Sequence, residues 1–101
     1  MENKFFYTFL NKASEDFEKI FQYISVELAN PLASKKLIEE FLKEFDRLCS
    51  FPFSCPIVDN MFFEEKIVRK LVVGNYIALY RVVGNEIQII RIRHSTSNYL
   101  I

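Results

Sequence analysis

From about Ala13 to Ala29, apolar side chains return every three or four positions, at Ala13, Phe17, Ile20, Phe21, Ile24 and Leu28. That spacing lines one face of a helix. It predicts an amphipathic helix with Asn11 or Ser14 as N-cap, and with Glu15, Asp16 and Glu18 near the N-terminus, where negative charge complements the helix dipole. Asn30-Pro31 ends this helix and starts another, because proline is tolerated at a first helical position and asparagine caps the free amides ahead of it. The second helix runs to about Cys49 and buries Ala33, Leu37, Phe41, Phe45 and Leu48. The connection is very short, so the two helices fold back as an antiparallel hairpin.

Phe51-Pro52 closes the second helix, and residues 51–64 carry Pro52, Pro56 and Asp59-Asn60 with no clear period, which predicts a loop. Beyond it the period falls to two. Lys66 to Val73, Asn75 to Val83 and Glu86 to Arg93 are rich in Val, Ile and Tyr, and Gly74-Asn75 and Gly84-Asn85 stand between them at hairpin positions. Gly and Asn accept the positive φ that such turns require, so these segments form a three-stranded antiparallel meander. A first strand over about Phe5 to Leu10 completes the order β-α-α-β-β-β. The expected fold is α+β, a helical hairpin packed on a small, mainly antiparallel sheet. Strand alternation sets Ile67, Arg69, Leu71 and Val73 against Lys66, Val68, Lys70 and Val72. Both faces are therefore partly apolar, and a sheet covered on one side only would expose apolar residues beside its cations, as binding surfaces do.

Composition narrows the class. The chain has 101 residues, half of them hydrophobic, with 11 Phe and 5 Tyr, enough large side chains for the core of a single domain over residues 1–101. Disorder is excluded, and no apolar run approaches the ~18 residues of a membrane span. Phe5-Phe6-Tyr7-Thr8-Phe9-Leu10 after Lys4 falls short of the apolar core of about 7 to 15 residues in a secretory signal, so it reads as a strand of a cytoplasmic protein. Cys49 and Cys55 have no histidine nearby and read as buried thiols.

Charge changes the picture through its distribution. Residues 1–65 hold 7 basic and 12 acidic side chains, whereas residues 66–101 hold 6 basic and one acidic, Glu86. The asymmetry suggests a face presenting Lys66, Arg69, Lys70, Arg81, Arg91 and Arg93 to something anionic. It is equally consistent with cations that keep strand edges from pairing. No phosphate loop, nucleophile elbow or metal-ligand spacing is present, and no cofactor or metal is expected. Candidate chemistry gathers at the C-terminus, where Arg91, Arg93, the single histidine His94 and Tyr99 follow one strand. Cleaving RNA through its 2′-hydroxyl needs a base, an acid and cations for the developing charge. His94 would titrate near neutrality, Arg69, Arg91 or Arg93 would clamp the phosphate, and Tyr99 would stack on a base. A hydrogen-bonded structural histidine fits the same spacing. Tyr76 and Tyr80, four apart and so on one face of a strand, read as core.

Taken together, Ala13-Ser14-Glu15-Asp16-Phe17, Tyr23-Ile24, Asn30-Pro31-Leu32-Ala33, Leu48 with Phe51-Pro52, Arg69 to Tyr76, Tyr80-Arg81-Val82 and Arg91 to Ser95 resemble the RelE/ParE superfamily of bacterial type II toxin–antitoxin modules. The resemblance spans nearly the whole chain and implies the same β-α-α-β-β-β fold. It also implies a cognate antitoxin that covers the active surface in a hetero-oligomer. RelE-like members cut mRNA on the ribosome, as mRNA interferases, whereas ParE-like members poison DNA gyrase. The helical hairpin with Asn30-Pro31 and Phe51-Pro52 is closer to the ParE-like, plasmid-stabilisation group. RelE-like nucleases carry an arginine where this chain has Val72, and another where it has Ser95 and Thr96. His94 matches a histidine that some ribosome-dependent members use, and Arg69, Lys70, Arg91 and Arg93 are the cations left to substitute for the missing charge. The expected function is growth arrest by one of these two routes, or antitoxin binding by a toxin fold that no longer poisons.

Overall fold

A computed structural model describes residues 4–96. The elements run β1 (Phe6–Phe9), α1 (Asn11–Gln22), a π-helical turn (Tyr23–Glu27), α2 (Pro31–Ser50), β2 (Ile57–Phe63), β3 (Lys66–Val73), β4 (Tyr76–Val83) and β5 (Glu86–His94). The five strands lie in the order β1-β5-β4-β3-β2. β1 runs parallel to β5, and every other pair is antiparallel.

The helical hairpin and the meander fall where the sequence puts them, with three differences. First, α1 starts at Asn11, so neither Asn11 nor Ser14 caps it; Leu10 stands at the cap without a side-chain hydrogen bond. The earlier start also moves Glu15, Asp16 and Glu18 out of the first turn, which holds no acidic residue. Second, regular α-helix ends at Gln22. The next turn is wider, with the Leu28 amide bonded to the Tyr23 carbonyl, five residues back, at 3.0 Å. This turn packs on α2, where the Ser25 and Ser34 hydroxyls meet at 2.6 Å. Ala29 then takes a positive φ of 49° and hands over to Asn30, whose Oδ1 accepts the Ala33 amide at 3.1 Å as the cap of α2.

Third, part of the expected loop is a strand. β2 pairs with β3 through Ile57–Arg69, Phe62–Ile67 and Phe63–Lys66, with an irregularity between Ile57 and Phe62 where Asn60 has a φ of 60°. That irregularity breaks the alternation, which is why no strand period shows in the sequence. The β2–β3 turn is made by Glu64 and Glu65, both at positive φ, 47° and 69°. A left-handed conformation costs a residue with a Cβ about 1 kcal/mol. Glu64 keeps a role there, since its carboxylate binds Arg81. Replacing Glu65 by glycine is expected to raise the unfolding free energy by about 0.5–1 kcal/mol in urea titrations. An unchanged or lower value would show that the turn is not strained.

The sheet has two cores. On the helix side, Phe41, Phe45 and Leu48 of α2 and Ala13 of α1 pack on Leu71, Val73, Ala78, Tyr80, Ile87, Ile89 and Ile92. Tyr7, Phe9, Phe17 and Tyr76 extend this core with ring contacts to Phe41 and Phe45. Cys55 lies within it and Cys49 at its margin, both as free thiols. The opposite face is covered in part, while Val72, paired with Ile77, stays 59% exposed there beside Lys70 and Arg93. Leu10 and the β2 residues Val58, Met61 and Phe63 cover Val68, Ile77, Leu79 and Ile90 there.

Tyr80 joins the helix-side core to the segment after α2. Its hydroxyl donates to the Pro52 carbonyl at 2.9 Å, in a buried position. Burial pushes its phenol well above the ordinary value of 10, and the Cys55 side chain adds in the same direction. Burial raises Tyr7 and Tyr76 as well. The folded chain therefore holds protons that the unfolded chain releases near pH 10, so these groups contribute stability that is present below pH 10 and declines as pH rises above it. Tyr80→Phe is expected to cost about 1–2 kcal/mol at neutral pH, because the buried Pro52 carbonyl loses its donor. The variant should also lose less stability than the parent on going from pH 9 to about pH 11 in denaturant titrations. Equal slopes would mean that Tyr80 does not resist ionisation.

Candidate functional site

The cations of the basic C-terminal third have different fates, set by strand alternation and by what each side chain meets. Arg69 pairs with Tyr80 across β3–β4 and so faces the helix side. Its Nη1 donates to the Cys55 carbonyl at 2.7 Å and the Phe53 carbonyl at 3.3 Å, and its guanidinium lies 5.3 Å from the Phe53 ring centre. Arg69 thus pins residues 53–55 to the sheet. Arg81, expected on a displayed basic face, is only 8% exposed. It bonds Gln88 Oε1 at 2.6 Å, the Phe63 carbonyl at 2.9 Å and Glu64 at 3.0 Å, and sits 4.7 Å from the Phe63 ring centre. The chain of bonds continues through Gln88 to Glu86, which also accepts from Thr8. The Thr8 bond and then the Gln88 bond hold the Glu86 carboxyl below its ordinary range. One end of the sheet face away from the helices is therefore closed by a satisfied polar network.

Arg91 is redirected by an irregularity in β5. Tyr80 pairs with Ile89 but Leu79 with Arg91, so Ile90 is an extra residue between them. Such a bulge bends its strand and re-aims the side chains beside it. Here it carries Arg91 onto α1, where Nε and Nη2 grip the two Asp16 oxygens at 2.7 and 3.0 Å. Asp16 Oδ2 also accepts the Ile92 amide at 3.1 Å. The Asp16 hydrogen bonds hold the Arg91 guanidinium above its already high pKa.

Arg93 pairs with Ile77, on the face away from the helices, whereas His94 pairs with Tyr76, on the helix side. His94 is exposed, its ring edge-on to Tyr76 at 5.3 Å between centres, and its Nδ1 meets the Thr96 hydroxyl at 2.7 Å and amide at 3.3 Å. Tyr99 lies outside the described residues. Arg69 and His94 share a face but sit at the β4 registers of Tyr80 and Tyr76, four residues and about 13 Å apart. The four described candidates therefore do not converge on one reacting centre: two hold structural bonds, and Arg93 and His94 point to opposite faces.

A cleft that the sequence did not indicate lies on the face away from the helices. It has a volume of about 390 Å³ and is lined by Leu10, Asn11, Lys12, Phe63, Ile90 and Arg91. Its walls come from the β1–α1 junction and from β2, and the signal that could have found it is the apolar set Val58, Met61 and Phe63 in a stretch read as loop. Among the described residues, no cluster of three or more His, Cys, Asp and Glu side chains is placed to hold a metal. No helix among them is long and apolar enough to cross a membrane.

In architecture the chain is similar to a solved structure described as the chromosomal ParDE toxin–antitoxin system from P. aeruginosa. The superposition has a TM-score of 0.71 at 23% identity, over 92% of this chain and 98% of that one. No curated protein matches the sequence. A family model for the ParE toxin of the type II toxin–antitoxin system parDE matches residues 7–99. The chain belongs to the ParE toxin family.

Proposed function

We propose that the chain arrests growth as a toxin that works by binding, poisoning DNA gyrase in the cytoplasm, and that a cognate antitoxin neutralises it in a hetero-oligomer. The observation that carries this reading is the engagement of Arg69 and Arg91 in the fold. A phosphate-cleaving site needs cations free to meet developing charge beside an acid and a base. Arg69 is bound to two carbonyls and Arg91 to a carboxylate, and Arg93 and His94 lie on opposite faces. That dispersal supports a toxin that acts through its surface. The exposure of His94 favours the second reading, ribosome-dependent mRNA cleavage with His94 as the proton-transfer group.

The test adds the purified, antitoxin-free protein to gyrase with relaxed plasmid, and in parallel to a translating ribosome with mapped mRNA ends. Loss of supercoiling with intact mRNA is the expected result. Cuts appearing only on translating ribosomes, and abolished by His94→Ala at unchanged stability, would replace the proposal with the second reading. Activity in neither assay would leave a toxin fold that only binds its antitoxin.

A further inference from the structure

We infer that the cleft between the β1–α1 junction and β2 seats an acidic, amphipathic segment of the protein partner, an apolar side chain entering among Leu10, Phe63 and Ile90 while carboxylates meet Lys12, Lys70 and Arg93. This rests on the reading that the chain is held by an antitoxin, and adds which surface is held and by what chemistry. Leu10, Phe63 and Ile90 give the cleft an apolar part beside Asn11, Lys12 and Arg91, and about 390 Å³ accommodates one or two large side chains. The surroundings supply the charge. Lys70 pairs with Leu79 and Arg93 with Ile77, so both project from the same face as the cleft, around Val72, which is 59% exposed. Lys12 stands at the cleft mouth.

No ion pair involves Lys12, Lys70 or Arg93 among the described residues. Two acidic groups of this face are engaged within it: Glu64 with Arg81, and Glu86 with Thr8 and Gln88. Asp16, and at longer range Glu15, answer Arg91. What remains unanswered around the cleft is positive charge beside apolar side chains, which is the complement of an acidic amphipathic peptide. Nucleic acid fits less well. Three cations are few for tracking a phosphate backbone, and the Phe63 ring, already under the Arg81 guanidinium, is not a free stacking platform.

The test uses the full chain co-expressed with the product of the open reading frame beside its own, and measures the affinity of the purified pair by calorimetry at roughly 50 and 300 mM salt. The variant Lys12→Glu/Lys70→Glu/Arg93→Glu, with its fold verified by circular dichroism, is expected to weaken the complex roughly 30-fold at the lower salt and to flatten the salt dependence. The matched variant Lys35→Glu/Lys36→Glu/Lys43→Glu, on α2, should stay within about twofold. A complex that forms but ignores the first triple, or responds only to the second, overturns the inference and leaves the antitoxin reading intact. Failure to form any complex overturns that reading and the inference with it. Tighter binding of an RNA or DNA duplex of about 20 base pairs, lost in the first triple, would reassign the surface to nucleic acid.

Discussion

Phe45→Ala is expected to remove about 4 kcal/mol of unfolding free energy, measured by urea titration followed by circular dichroism. Phe45 is fully buried, and its ring lies 5.4 Å from Tyr7, 5.6 Å from Phe9 and 5.7 Å from Phe41, centre to centre. It is the point where α2, β1 and the sheet meet, so the cavity left by truncation borders three elements that cannot all move in. Loss of aromatic pairing adds to the lost burial. Against a typical total of about 5–15 kcal/mol, the variant would be marginally folded at best. Phe45→Leu, which keeps most of the volume, should cost less than half as much. Leu32→Ala, at a position 80% exposed, should change stability by no more than about 0.5 kcal/mol. A loss below about 1 kcal/mol for Phe45→Ala would mean that the helix-side core is loosely packed there.

Breaking the Asp16–Arg91 pair is the second large effect. Only 19% of the Arg91 side chain and 13% of the Asp16 side chain are exposed, and the carboxylate accepts three hydrogen bonds. Asp16→Ala would strand a partly buried guanidinium and the Ile92 amide together, at an expected cost of about 3 kcal/mol. Asp16→Asn should cost somewhat less, since the amide oxygen still accepts one bond. In Asp16→Ala/Arg91→Ala the uncompensated charge is gone, so the double variant should lose less than the sum of the singles, with a coupling of about 1.5–3 kcal/mol. Additive losses would show that the pair contributes no mutual stabilisation. The same variants bear on function. If Arg91→Ala abolished toxicity with no loss of stability, the guanidinium would be acting on the target rather than tying β5 to α1.

The helices and the last three strands were legible because each is specified by local chemistry. The stripe of Phe41, Phe45 and Leu48, the Asn30 cap and the Gly74 and Gly84 turns with φ of 58° and 62° need no distant partner to be recognised. β2 was not legible, because its irregularity at Asn60 breaks the two-residue period, and its Val58, Met61 and Phe63 find their core only when β2 lies over Ile77, Leu79 and Ile90. The candidate site was the least legible part. Arg69, Arg91 and Arg93 look alike in one dimension, and Asp16 is 75 positions from Arg91 with no local feature linking them.

The sequence by itself determined the two helices, four of the five strands, the α+β class, the family resemblance and the excess of positive charge after residue 65, because periodicity, turn conformation and composition are short-range properties. The tertiary structure decided which cations are free. A guanidinium's availability depends on the carboxylates and carbonyls that folding brings within hydrogen-bond reach. Arg69, Arg81 and Arg91 found such partners, while Lys12 was left beside a cleft that exists only once β1, α1, β2 and β5 are assembled, and Lys70 and Arg93 on the same sheet face without an ion pair among the described residues.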